Sequence, residues 1–407
     1  MKHLILIGDG MADLPSQDPP RPTPLELAFT PSMDEVALSG VSGLFCPIPD
    51  DFPPGSDVGN LSLFGYDPHD TYTGRAPLEA ASQGIALASH EIAFRCNLVT
   101  LQHGLMRDFT ADHITTEEAR ELISALNTHL TAYPVLFSPG VSYRHLTILA
   151  APADLLNAPA SLQCTPPHDI TGTPYAQHLP TGPAAQLLCD LTTASQPLLT
   201  AHPANTARVA AGKLPANSIW LWGHGRYPTI KTYPELFGIR GAVISAVDLV
   251  KGIGVCAGLE PLTVPGATGY LDTNYHGKIT AALEALRTLD FVYVHVEAPD
   301  EASHEGRLDL KVRAIEDFDA HIVAPALRHV RDYRNTRLFV APDHATPLST
   351  RTHAGGPVPF AACGAGITPN AATAFTERAA HDTGILISQG HTLMPYFLRT
   401  EDIAFPS

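Results

Sequence analysis

Aspartates and histidines recur in this chain at spacings that suit divalent cations. In APDEASHEG, Asp300 and His304 stand four apart, which puts both on one face of a helical turn. The stretch PDHATPLSTRTHAGG supplies Asp343 and His344 and, nine residues beyond His344, His353. Asp9, between the glycines of ILIGDGMAD, adds a third carboxylate. Carboxylate and imidazole together suit ions of the zinc or manganese kind. One ion takes about four ligands. Three carboxylates with three imidazoles therefore suit two ions side by side, the arrangement that serves phosphoryl transfer. Each pair alone also has a plainer reading: an ion pair on a helix for Asp300 and His304, a polar turn for Asp343 and His344.

A nucleophile candidate lies in PPGSDVGNLSLFGYDP, residues 53–68. A rigid Pro-Pro-Gly corner leads into Ser56, after which Val58, Leu61, Leu63 and Phe64 form one apolar helical stripe. Serines at such entrances are commonly N-caps. The alternative is a hydroxyl placed where helix N–H groups hold an incoming phosphate.

These residues sit where elements end. HLILIGDG is a short strand-like run closing at Asp9; DFVYVHVEAPD, rich in valine and aromatics, closes near Asp300; TRLFVAPDH leads into Asp343 and His344. RGAVISAVDLVKGIG adds a strand-then-helix unit, and GKITAALEALRTLD and RLDLKVRAIEDFDAHIVAPALRHV read as helices. Strands alternating with helices predict a mostly parallel α/β sheet, in which ligands sit beyond the carboxyl ends of the strands. Three strands each deliver a carboxylate there.

The 407 residues are enough for two domains. From about Ala80 the character changes: TTEEARELISALNTHL opens with a capping box at Thr115 and Glu118, and CTPPHDITGTPYAQHLPTGP is a Pro/Gly/Thr-rich loop. We expect a discontinuous core of residues 1–79 and 192–407 and an inserted domain of residues 80–191. Lys and Arg number 25 against 41 Asp and Glu, a formal net charge of −16, which disfavours nucleic acid as a partner. The six cysteines form no C-x-x-C pair. The apolar run Leu4–Ile7 is far short of a secretory signal, which needs about 7–15 apolar residues, and no run approaches the roughly 18 of a membrane span. A cytoplasmic protein acting on a small metabolite, with no membrane partner, is expected.

Taken together, ILIGDGMAD, PPGSDVGNLSLFGYDP, YTGRAPLEAAS, FRCNLVT, SYRHL, ISAVDLVKGIG, VPGATGYLDTNY, VHVEAPDEASHEG and PDHATP, with RTH and PVPF downstream, cover most of the chain. This set resembles the cofactor-independent phosphoglycerate mutases of archaeal type, within the alkaline phosphatase superfamily. The resemblance implies an α/β fold: an alkaline-phosphatase-like core, its mostly parallel sheet sandwiched by helices, plus an inserted smaller α+β domain. It implies interconversion of 3-phosphoglycerate and 2-phosphoglycerate, independent of 2,3-bisphosphoglycerate, through a phosphoserine at Ser56. Carried over by position, Asp9, Ser56, Asp343 and His344 hold one divalent ion, and Asp300, His304 and His353 hold the other (Mn2+, Zn2+ or Mg2+).

A phosphoglycerate is doubly anionic, so the basic residues in or beside these motifs are substrate candidates: Arg75, Arg95, Arg144, Lys251 and Arg351. Asn60, one turn beyond Ser56, is a candidate donor to a phosphoryl oxygen. His113, His145 and His168 are candidates for proton transfer, each with a plainer reading as a polar loop residue. A mutase must hold its dephosphorylated intermediate away from water. The inserted domain is accordingly expected to close over Ser56 and bring Arg144 against the substrate carboxylate. The segments CTPPHDITG and PANSIWLWGHGRYP resemble a bacterial branch for which a homoserine kinase role has been proposed. The acidic motif reads EAPDEASHEG, where archaeal mutases typically have a lysine-containing version before the Asp. A homoserine kinase, or another phosphotransferase or phosphohydrolase on the same core, is the alternative. There is no G-x-x-x-x-G-K-[ST] loop: Gly212-Lys213 and Gly277-Lys278 are followed by Leu and Ile.

Overall fold

The run Lys2–Gly8 is buried from His3 onward, as a strand covered on both faces must be. In the computed structural model, which describes residues 1–17, 20–399 and 403, this strand is central. It pairs in parallel with Phe291–Val296 on one side and with Thr336–Ala341 on the other. The register sets Gly8 opposite Val296 and Ile7 opposite Ala341. Three chains thus leave the sheet at the same edge, carrying Asp9, Asp300 and Asp343. The full sheet runs Glu260–Pro261, Gly241–Ile244, Phe291–Val296, Lys2–Gly8, Thr336–Ala341, Val358–Gly364, Val41–Phe45, Leu386–Ile387. Only Val358–Gly364 runs against its neighbours. Leu4, Leu6, Val292 and Val294 pack in one apolar cluster with Ala314, Ile315 and Phe318 of the helix Leu308–Phe318. That helix passes through a π-type turn at Asp319–Val323 into Ala324–Asp332.

The chain divides into two compact units, Met1–Tyr72 with Thr229–Ser407, and Thr73–Pro228. The second is built on an antiparallel sheet in the order Leu105–Asp108, Glu91–Gln102, Arg144–Ala150, Val135–Val141, with Ser218–Gly225 also pairing to Glu91–Gln102. The helix Thr116–His129 starts at Thr115 with the capping box in place. Its Ala119, Leu122, Ile123 and Leu126 join Leu188, Leu191 and Leu199 of the helix Ala185–Ala201 and Phe94, Cys96 and Leu98 of the sheet in a second core. The expected limits of 80–191 therefore need correction. The unit extends from 73 to 228, because Ser218–Gly225 pairs with a strand more than a hundred residues earlier and the helix Arg75–Ser82 shares a cluster with that sheet. Neither link leaves a mark in local composition.

Candidate active site

Ser56 is the first residue of the helix Ser56–Leu63, and the residue before it, Gly55, is the N-cap and makes no side-chain capping bond. The expected alternative of Ser56 as a cap does not hold. With φ near 180°, Gly55 brings the chain extended into the first turn, and Ser56 Oγ lies 3.1 Å from Nε2 of His344. The hydroxyl is thus held by the Asp/His cluster, at a helix N-terminus where free N–H groups and the helix dipole favour negative charge.

Around it the described residues form three overlapping groups whose ligand atoms lie within 4.8 Å of one another: Asp300, His304 and His353; Asp9, Asp300 and His344; Asp9, His295 and Asp343. In the first, Asp300 Oδ2 is 3.0 Å from His304 Nε2 and 3.4 Å from His353 Nε2. The two Nε2 atoms face each other at 3.1 Å. His304 Nδ1 lies 2.9 Å from the carbonyl oxygen of Arg351, which only accepts, so Nδ1 donates there and Nε2 turns to Asp300, whose hydrogen bond raises the His304 imidazole to about 9. In the second, Asp9 Oδ1 is 3.3 Å from His344 Nε2.

Burial pushes the Asp9 carboxyl well above its usual range, and the neighbouring Asp343, Asp300 and Glu297 push it further. Asp300 is pushed up by burial too, but hydrogen bonds from His304 and His353 outweigh this and hold it well below. A wholly buried carboxylate cluster of this kind is electrostatically costly without positive charge between its members. Asp9 Oδ1 and His295 Nε2 are buried without any hydrogen-bond partner. Two imidazole Nε2 atoms facing each other beside a carboxylate, crowded carboxylates and buried ligand atoms without hydrogen bonds together fit divalent cations.

A second set of residues holds these ligands in place. Thr346 Oγ1 donates to Asp300 Oδ1 at 2.5 Å and lies 3.1 Å from His344 Nδ1. Its one proton is committed to Asp300, so it accepts from His344 Nδ1–H, which leaves His344 Nε2 unprotonated toward Ser56. The fully buried Lys311 donates to the carbonyls of Ala12 and Thr346, at 3.1 and 2.9 Å, tying the two loops together. A Cβ on Gly10, whose φ is +59°, would collide with Asp300 Oδ1 and Thr346 Oγ1, so only glycine fits between Asp9 and this pair.

Asn60 requires a correction. It is fully buried, and its amide nitrogen donates to the Ser56 carbonyl at 2.8 Å and to Asp343 Oδ2 at 2.7 Å. Its oxygen accepts the Tyr293 hydroxyl at 2.6 Å. With its donors and its oxygen engaged inside the fold, Asn60 orients Asp343 and does not reach a phosphoryl group. The sequence reading also missed His295, Tyr293 and Thr346. The alternation of DFVYVHV places Tyr293 and His295 on one strand face, a signal that was available.

The basic candidates are dispersed. Lys251, in the helix Asp248–Cys256 of the first unit, pairs with Asp248 at 2.6 Å. Arg75, Arg95 and Arg144 belong to the second unit. Arg95 meets Glu79 through both nitrogens, Nε to Oε2 at 3.2 Å and an Nη to Oε1 at 3.0 Å, and stacks 4.3 Å over the Trp222 ring. Burial lowers its pKa, Glu79 opposes this, and the charges of Arg75 and Arg144 add to the lowering. Arg144 itself is exposed. Among the histidines, His168 packs edge-on against Trp222, His113 is exposed, and His145 is buried with Nδ1 accepting the Gly140 N–H at 2.9 Å. His145 is therefore not placed to carry protons.

Comparison with known proteins follows the same lines. The family described as 2,3-bisphosphoglycerate-independent phosphoglycerate mutase matches residues 37–205. A protein of that name from Methanosarcina acetivorans is 54% identical over 362 residues, 89% of this chain and 90% of its own length. A probable one from Geobacter sulfurreducens is 49% identical over 98% of this chain and 100% of its own length. Among solved structures, a Pyrococcus horikoshii protein superposes with a TM-score of 0.81 at 30% identity, covering 100% of this chain and 99% of that one. The cofactor-independent phosphoglycerate mutase of Thermoplasma acidophilum superposes with a TM-score of 0.66 at 25% identity, covering 98% of this chain and 100% of that one.

Proposed function

On the premise that the chain belongs to the 2,3-bisphosphoglycerate-independent phosphoglycerate mutase family, we propose that it interconverts 3-phosphoglycerate and 2-phosphoglycerate through a phosphoserine at Ser56. The observation that carries this reading is the Ser56 hydroxyl, at a helix N-terminus and 3.1 Å from His344 within the Asp/His cluster. In the first half-reaction the Ser56 Oγ–P bond forms, the P–O bond to glycerate breaks, and the proton lost by Ser56 is matched by one gained on the glycerate oxygen. The second half-reaction is the reverse, onto the other hydroxyl.

Asp300, His304 and His353 would hold one divalent ion, and Asp9, Asp343, His344 and Ser56 a second. Such ions lower the cost of a serine alkoxide and offset phosphoryl charge. Imidazole-rich sets favour Mn2+ or Zn2+ over Mg2+. Thr346 keeps His344 in the tautomer that leaves Nε2 open, and Asn60 keeps Asp343 in register. Lys251, in the same unit as Ser56, is assigned to the anionic groups of the substrate; Arg75, Arg95 and Arg144 are the basic candidates of the other unit, where Glu79 and Trp222 orient Arg95.

A coupled assay supplied with 3-phosphoglycerate alone tests the reading. Formation of 2-phosphoglycerate without ATP or bisphosphoglycerate, with little free phosphate, is expected. Steady phosphate release without isomerisation would make the protein a hydrolase. Turnover only with ATP and homoserine would make it a kinase.

A further inference from the structure

Directly after the nucleophile comes a carboxylate, Asp57, for which the proposed reaction has no use. It lies in the first turn of the helix Ser56–Leu63, and it is buried. A carboxylate in that turn is drawn to the unpaired helix N–H groups and to the positive end of the dipole. A phosphoryl group on Ser56 calls on the same donors. An aspartate beside a phosphorylated serine therefore carries two liabilities. Its charge repels the phosphoryl oxygens, and its own oxygens can take the donors in their place.

The fold turns this carboxylate elsewhere. Tyr72 Oη donates to Asp57 Oδ2 at 2.6 Å, a length typical of hydrogen bonds to a charged acceptor. Two contacts fix Tyr72 in turn. Its backbone N–H closes the short helix Pro68–Thr71 by donating to the Pro68 carbonyl at 2.9 Å. Its ring meets Phe52 edge-on, with centroids 5.9 Å apart. Phe52 directly precedes the Pro53-Pro54-Gly55 corner, so one segment both steadies Tyr72 and aims Ser56. The N-cap at that corner, Gly55, makes no side-chain bond to the first turn. The side chains on either side of Ser56 thus leave the helix entrance to the nucleophile: Gly55 has none, and Asp57 is held by Tyr72.

Resting on the phosphoserine reading above, we propose that Tyr72 is a positioning residue for phosphoryl transfer. Its hydroxyl holds the Asp57 carboxylate away from the first-turn N–H groups and so reserves them for the phosphoryl group on Ser56. Tyr72 makes and breaks no bond to substrate. It acts through the charge of Asp57, by its hydroxyl rather than its ring.

The test is a pair of variants compared with wild type. Tyr72→Phe keeps the ring against Phe52 and removes only the proton that Asp57 accepts. Losing a hydrogen bond to a charged group is expected to lower kcat about tenfold, with Mn2+ affinity unchanged and circular dichroism reporting a folded protein. The double variant Tyr72→Phe/Asp57→Asn is expected to recover kcat toward the wild-type value, because the neutral amide does not repel the phosphoryl oxygens. A merely structural tyrosine would not be rescued by removing the charge of its partner. An unchanged kcat in Tyr72→Phe, or a double variant as slow as the single one, would overturn the proposal while wild-type turnover of 3-phosphoglycerate left the mutase reading standing. Wild-type protein that formed neither 2-phosphoglycerate nor phosphoserine would overturn that reading, and this proposal with it.

Discussion

At the scale of single residues, the site separates groups that meet the substrate from groups that hold those groups still. Ser56 contributes no cap to its helix, so Ser56→Ala should change stability by less than about 0.5 kcal/mol while abolishing both mutase activity and the trapped phosphoserine. Mass spectrometry after incubation with 3-phosphoglycerate and acid quench checks this; phosphate on another residue would refute the assignment. Asn60 is the opposite case. Asn60→Ala leaves the Ser56 carbonyl, Asp343 and the Tyr293 hydroxyl without their shared partner. A loss of about 2–3 kcal/mol follows from stranding buried polar groups, together with weakened metal binding. An Asn60→Ala protein with unchanged denaturation midpoint and metal affinity would show that Asp343 needs no such support.

At the scale of elements, close packing reverses ordinary preferences. Within a helix, Gly→Ala usually gains up to about 1 kcal/mol. Gly59, inside the helix Ser56–Leu63, packs against the Asp343 carbonyl so tightly that a methyl group would strike it. We expect Gly59→Ala to destabilise by more than about 1 kcal/mol and to lower activity by moving Ser56 away from His344, measurable by urea denaturation and by kcat. The strand Arg144–Ala150 carries a pH effect. Burial pulls the His145 imidazole down to about 4, against 6.5 in the unfolded chain. Above pH 6.5 both states are neutral and His145 imposes no penalty. As pH falls from 6.5 to 4 the unfolded state takes up the proton first, so stability declines, by up to about 3 kcal/mol at pH 4. His145→Asn, whose amide oxygen is suited to accept the Gly140 N–H, should flatten that acid limb; an unchanged limb would place its origin elsewhere.

At the scale of the whole molecule, two units with separate hydrophobic cores and all Asp/His site residues in one of them predict unequal responses to metal. Ligands that bind only the folded state raise its stability by mass action. In calorimetry of the full chain, EDTA should lower the transition of the unit containing Met1–Tyr72 and Thr229–Ser407, with Mn2+ restoring it, while the transition of Thr73–Pro228 stays in place. A uniform shift of the entire unfolding profile would mean that the two cores do not melt separately.

The sequence by itself determined where charge leaves the sheet: apolar runs ending in Asp9, Asp300 and Asp343, a helical i,i+4 pair at Asp300 and His304, and a proline-glycine corner before Ser56. Those features are written in a few adjacent residues, because strand burial, helix periodicity and turn chemistry are local. Tertiary structure alone decided which face of Phe291–Val296 looks at Asp9, and so brought His295 to the carboxylates and Tyr293 to Asn60. It also turned the Asn60 side chain inward, set Thr346 between Asp300 and His344, and joined Ser218–Gly225 to Glu91–Gln102. Alternation tells which side chains share a face but not what that face meets. The answer depends on strand register and helix rotation, which are fixed by packing between segments far apart in the chain.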